Sequence, residues 1–181
     1  MKKSLKGSFL LGLFLLTCSC AARVVTNPVP EWRYEKEAIH LHLKADPRLN
    51  LYEGKPYTLV MYVYQLTTPN AFKELSRDKE GLAKLLESNR FDPSVADSQK
   101  LIIHPGQELT KRLDRVEGAQ YVAIVAGYYD LQKDRVTRFF NIPVIEETTG
   151  IIKQTKIAKP GPLSINLYLG PQEIRDKDGR Y

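Results

Sequence analysis

Apolar residues change their spacing along this chain, and each change marks an element. Ala38 to Lys44 alternates, with Ile39, Leu41 and Leu43 on one side and His40, His42 and Lys44 on the other. Period two is the pattern of a half-buried strand. Asp46 to Pro56 (DPRLNLYEGKP) carries turn residues and reads as a loop. Tyr57 to Leu66 (YTLVMYVYQL) is dense in β-branched and aromatic residues and predicts a central strand. From Asn70 to Ser88 the period lengthens, and Phe72, Leu75, Leu82, Leu85 and Leu86 recur at helical spacing. Two short helices are expected there, broken near Ser76 to Lys79, with Gly81 weakening the second.

The strand pattern then resumes. Lys100 to His104 predicts a strand and Pro105-Gly106 a turn. Glu108 to Val116 alternates, with Leu109, Lys111, Leu113 and Arg115 on one face and a solvated face opposite. Gln120 to Tyr129 (QYVAIVAGYY) is the most apolar run and predicts a second central strand. Val136 to Ile145 follows, with Pro143 marking an edge or a bulge. Ile151 to Ile157 is a weaker pattern, and Ser164 to Leu169 is the last strand. Several short strands with one short helical insert predict a mainly β fold, a β-sandwich over residues 38–170. Residues 171–181 are expected to form a charged C-terminal tail.

The first residues follow a different logic. Lys2, Lys3 and Lys6 precede a short apolar block, Phe9 to Leu16, and then Thr17-Cys18-Ser19-Cys20. A basic start, an apolar stretch and a small-residue zone compose an export signal. The block falls short of the roughly 20 apolar residues that span a bilayer. Two cysteines at i and i+2 cannot staple a fold, and the chain has no third. A thiol at a signal end resembles a lipobox, in which the cysteine is acylated and becomes the first mature residue. Cys20, preceded by the small Ser19, is the expected lipidation site. Cys18 is the alternative, with a leucine three residues upstream but the bulkier Thr17 before it. Residues 1–19 are then the lipoprotein signal peptide, and residues 20–37, polar and Pro-containing, a lipid-anchored tether on which Trp32 and Tyr34 can pack. Neither Ala21 nor Ser19 is the aspartate that retains lipoproteins at the inner membrane. That sorting rule implies the outer membrane, with the domain on its periplasmic face.

Composition narrows the function classes. The formal charge is +6, but three lysines leave with the signal, and the remaining +3 is too mild to argue for nucleic acid. No GxSxG elbow, Walker loop, HExxH or CxxC is present. His40 and His42 share a strand face and could in principle join His104 around zinc, yet no cysteine or carboxylate cluster completes such a site. Tyr129-Asp130, Asp134-Arg135 and Glu146-Glu147 read as solvated turns. Of the pairs Tyr128-Tyr129 and Phe139-Phe140, one member each should face the core. The expectation is a protein without catalytic activity, metal or cofactor. Two roles remain: a scaffold that binds a protein, and an envelope module that binds a small ligand or glycan.

The order of these features resembles the outer-membrane lipoprotein of the type VI secretion system, the family called TssJ. The carriers run from about Leu41 to Ile145. They are a strand, an Asn-containing loop and a strand ending in Tyr64-Gln65-Leu66, a Phe72-led helical insert, the Pro105-Gly106 turn, and Tyr121-Val122-Ala123-Ile124-Val125-Ala126-Gly127-Tyr128. The chain departs from the family at Tyr128-Tyr129, where Tyr-Arg is usual. Arg138-Phe139 is the nearest match to a Trp-Arg of the next strand. The resemblance implies a transthyretin-like β-sandwich with helical additions. It also implies a scaffold at the outer-membrane end of a trans-envelope complex, binding the periplasmic domain of a large inner-membrane subunit of the TssM type. The family's contact element, the loop after the first strand, maps here to Arg48, Leu49, Asn50, Leu51, Tyr52, Glu53, Gly54 and Lys55. Leu49, Leu51 and Tyr52 either dock on the sandwich edge or face outward as an apolar patch rimmed by Arg48, Glu53 and Lys55.

Overall fold

The computed structural model describes residues 29–149 and 155–176. The signal region, Cys18, Cys20 and the first half of the tether lie outside the described residues, as does the start of the weak strand pattern at Ile151. Among the described residues, two four-stranded sheets face each other. The first holds β1 (Glu35–Ala45), β4 (Glu108–Arg115), β9 (Leu163–Leu169) and β10 (Ile174–Asp176) in the order β10-β9-β1-β4. The second holds β2 (Leu59–Leu66), β3 (Val95–Ile103), β5 (Tyr121–Ala126) and β6 (Thr137–Asn141) in the order β3-β2-β5-β6. A separate hairpin, β7 (Val144–Thr149) with β8 (Thr155–Pro160), follows β6. The pairing of β1 with β9 is parallel and the other strand pairs are antiparallel.

Alternation decides what each strand buries. Ile39, Leu41 and Leu43 of β1 face the core with Ile165, Leu167 and Leu169 of β9. The predicted face of β4 also turns inward, ending in buried Leu113 and Arg115 while Thr110 and Arg112 stay in solvent. β2 and β5 are apolar on both sides for a reason: the helices α1 (Asn70–Leu75) and α2 (Lys79–Glu87) cover the outer face of their sheet. Met61, Val63 and Gln65 look toward the first sheet, and Tyr62 and Tyr64 look toward the helices. The Tyr64 hydroxyl lies 2.5 Å and 2.6 Å from the carbonyls of Leu85 and Ser88 and donates between them. It thereby serves helix-end carbonyls that have no partner within the helix. Gln65 crosses between the sheets. Its Nε2 donates to the Asp114 carbonyl at 2.8 Å, and its Oε1 accepts from the Val116 N–H at 3.0 Å. The Tyr-Gln-Leu motif therefore joins helix, sheet and sheet at three consecutive residues.

Several expected boundaries move. β1 begins at Glu35, within the expected tether, and Trp32 packs against the core. β3 begins five residues earlier than Lys100. The single strand expected over Val136 to Ile145 is three elements: a one-turn helix α3 (Lys133–Val136), β6, and β7 beyond Pro143. A proline supplies no N–H to a ladder, so pairing with β5 stops at Asn141 and a new partner is taken after it. Glu146 and Glu147, expected in a turn, are paired residues of β7. The charged tail begins with β10, whose Ile174 is buried in the core.

Candidate functional site

The loop between β1 and β2 is built from its buried residues outward. Asp46 opens it. Its carboxylate accepts from the Arg48 N–H at 2.7 Å and from the Tyr168 hydroxyl at 2.5 Å, and its carbonyl from the N–H groups of Leu49 and Gly106. The Tyr168 hydroxyl is the chief reason this carboxylate is held below its ordinary pKa. Leu49 is fully buried, so the outward patch expected of Leu49, Leu51 and Tyr52 does not form as a unit. A leucine framed by backbone hydrogen bonds gains more from the sandwich interior than from solvent. Asn50 is also buried, with φ of 49°, a left-handed conformation that asparagine tolerates. Its Nδ2 donates to the Thr58 carbonyl at 3.1 Å, and its Oδ1 accepts from the Tyr129 N–H at 3.2 Å. Leu51 is half-buried and donates its N–H to the Pro171 carbonyl.

Beyond these anchors the chain turns outward. Tyr52 and Lys55 exchange both backbone hydrogen bonds, at 3.0 and 2.9 Å, around Glu53 and Gly54. Both central residues have positive φ, 48° and 76°, the requirement of a type I′ hairpin turn. Gly54 meets that requirement without strain. Tyr52, Glu53, Gly54 and Lys55 are therefore presented to solvent on a rigid tip, with Arg48 exposed at its base.

The side chains that join Tyr52 at the surface come from elsewhere. Tyr129, in the loop between β5 and α3, stacks on Tyr52 with ring centroids 4.1 Å apart and planes 11° from parallel. Tyr57, at the return of the β1–β2 loop, meets Tyr129 edge-on at 5.5 Å. All three rings are exposed, Tyr129 by 54%. Tyr128 points the opposite way, buried, and donates its hydroxyl to the Glu173 carbonyl at 2.9 Å. That burial pushes its pKa upward. An open cleft of about 410 Å³ lies beside the stack, lined by residues that include Asn50, Leu51, Tyr52, Tyr129, Pro171 and Gln172. Sequence reading found Tyr52 but not Tyr57 or Tyr129 as members of this surface. The adjacency of two tyrosines at the end of an apolar strand was the available signal, since only one can face the core.

The histidines do not converge. His40 bonds the Glu37 carbonyl at 2.9 Å, His42 lies 3.0 Å from the Thr110 hydroxyl and 3.3 Å from a Glu108 oxygen, and His104 follows β3 in the opposite sheet. Among the described residues, no group of three or more His, Cys, Asp or Glu side chains could hold a metal ion. Asp130 is engaged by Lys79 at 3.2 Å and by Gln132.

Comparison with known proteins fits this architecture. No curated protein matches the sequence. Among solved structures, the lipoprotein TssJ1 of the type VI secretion system from Pseudomonas aeruginosa superposes with a TM-score of 0.53 at 20% identity, covering 80% of this chain and 94% of that one. Lip from Serratia marcescens, a membrane-bound component of that system, gives 0.54 at 17%, covering 76% and 95%. A chain in the structure of the TssM C-terminal domain from EAEC gives 0.54 at 14%, also covering 76% and 95%. These likenesses establish the sandwich. The family described as type VI secretion lipoprotein (VasD, EvfM, TssJ) matches residues 37–158, about two thirds of the chain, from the start of the first sheet to the second strand of the hairpin. The chain belongs to the type VI secretion lipoprotein family.

Proposed function

We propose that this lipoprotein holds the outer-membrane end of a type VI secretion envelope complex by docking the periplasmic domain of a large inner-membrane subunit of the TssM type. The observation that carries the reading is the exposed tyrosine cluster, Tyr52, Tyr57 and Tyr129, on two loops joined by buried Asn50. Tyrosines bring large, rigid contact area with few rotatable bonds, and they are enriched at the energetic centres of interfaces. Arg48, Glu53 and Lys55 supply a polar rim, and Leu51 closes the inner edge. Membrane attachment is assigned to acylation of Cys20, with Cys18 as the alternative. Ala21 after it directs sorting to the outer membrane. The role requires no catalysis, cofactor or metal.

A photo-crosslinking amino acid placed at position 52 tests the docking reading in cells that carry the secretion machinery. The expected product is a crosslink to the large inner-membrane subunit. Position 102 is a control, because Ile102 is at least as exposed as Tyr52 but lies on β3 of the second sheet. Crosslinks from position 102 and none from position 52 would place the interface elsewhere. The cleft beside the stack also suits a sugar ring, which is the second reading. Crosslinks from position 52 to glycan rather than to protein would favour it.

A further inference from the structure

The described residues expose five large aliphatic side chains, Val29, Ile102, Val144, Ile145 and Ile157. Four of them belong to one neighbourhood, the β7–β8 hairpin and the chain entering β1. Val29 and Ile157 line a common groove with Glu31, Arg33, Ala158 and Lys159. Strand register sets Ile145 opposite Lys159 and Ile157 opposite Glu147, so these four side chains share one face of the hairpin. Lys159 pairs with Glu147 at 2.6 Å diagonally across that face, between the two isoleucines, and Arg33 pairs with Glu31 at 2.5 Å, so the charges of this neighbourhood are neutralised in pairs beside the aliphatic side chains.

Strand direction places this neighbourhood at the opposite end of the sandwich from the tyrosine cluster. β1 leaves the Val29 end at Glu35 and reaches the loop of Tyr52 after Ala45. β5 starts beside Leu66 and Asn141 and finishes beside Met61, just before Tyr129. β6 runs back from Thr137 to Asn141 and delivers the chain to the hairpin. Eleven strand residues separate the two ends by roughly 35 Å.

We infer that the hairpin face of Ile145 and Ile157, with Val29, rests against the phospholipid surface from which the protein is tethered. The inference depends on acylation of Cys20. Whatever path the intervening residues take, the nine residues from Cys20 to Val29 reach at most about 30 Å, so this end of the sandwich stays near the bilayer. The aliphatic character of the patch also differs from the aromatic docking end, and two nearby ion pairs neutralise the charges that would oppose approach to lipid. The tyrosine cluster then points away from the membrane, toward a partner rising from the opposite side of the periplasm.

The test uses the full lipoprotein, purified with its acyl group and reconstituted in phosphatidylethanolamine/phosphatidylglycerol vesicles. A single environment-sensitive fluorophore is attached at I157C in one sample and at Y57C in another, and brominated lipids serve as quenchers. Mass spectrometry reports acylation in the same samples. The expected result is acylated protein with quenching at position 157 at least about twofold above that at position 57, the difference between a group at the headgroup boundary and one in water. Acylated protein with equal quenching at the two positions overturns the membrane face alone. Protein with no acyl mass on its N-terminal cysteine overturns the anchor on which the inference rests.

Discussion

Leu49, Asn50 and Tyr52 are separated by one or two positions, yet they do three different jobs. Leu49 is a core residue, so Leu49→Ala should cost about 2–5 kcal/mol of stability, read by denaturant unfolding. Tyr52 is held by the hairpin turn and by stacking, so Tyr52→Ala should weaken partner binding by more than about tenfold while the Tm barely moves. A large fall in Tm would instead make Tyr52 a packing residue. Asn50 connects the two loops, and Asn50→Ala leaves the Thr58 carbonyl and Tyr129 N–H without their partner, at about 1–3 kcal/mol. Asp46 adds a pH signature. Its folded pKa is depressed, chiefly by the Tyr168 hydroxyl, so the stability it contributes is present above the ordinary carboxylate range and fades as pH falls through the folded value. The stability gap between the wild type and Asp46→Asn should therefore narrow below about pH 4 in acid-unfolding titrations. A constant gap would assign the effect to packing rather than to charge. At this scale the sequence told apolar from polar but could not say which apolar loop residue turns inward. That depends on the Leu51 N–H donating to the Pro171 carbonyl and the Tyr168 hydroxyl donating to Asp46, partners more than a hundred positions away.

Helix α2 shows the same dependence one level up. Gly81 reads in sequence as a weak point of a short helix, since glycine lowers helix propensity by about 1 kcal/mol relative to alanine. In the fold it is a contact. A Cβ at this position would sit 2.0 Å from the Leu75 carbonyl oxygen, where α2 passes the end of α1. Gly81→Ala should therefore destabilise, by at least about 1–3 kcal/mol of overpacking, rather than stabilise through propensity. Thermal unfolding of that single variant separates the two expectations by sign. β1, β4, β9 and the two helices were legible because each buries a face fixed by its own period, and β2 and β5 because burial on both faces makes them continuous apolar runs. The elements that sequence reading merged or truncated were β3, β6, β7 and β10. β3 is a sheet edge whose first six residues leave only Val95 buried. β7 has no sheet beyond its hairpin partner, and β10 pairs over three residues in a charged segment. Without a fully buried face such strands write little periodicity into the sequence.

The whole molecule is a sandwich with unlike ends. The two sheets and the helices bury a continuous core, with the loop between β1 and β2 at one end and the hairpin and the chain entering β1 at the other. This polarity suits the proposed role, in which one end stays at a membrane while the other grips a partner. The central claim is that the tyrosine cluster makes that grip, and titration calorimetry of the mature domain with the periplasmic domain of the large inner-membrane subunit tests it most directly. Tyr129→Ala is the informative variant, because Tyr129 comes from a different loop than the expected contact segment and is 54% exposed. The account predicts a Kd raised by at least about tenfold with an unchanged unfolding midpoint. A Kd within about twofold of the wild type for both Tyr129→Ala and Tyr52→Ala, well below the cost of losing a hot spot, would contradict it.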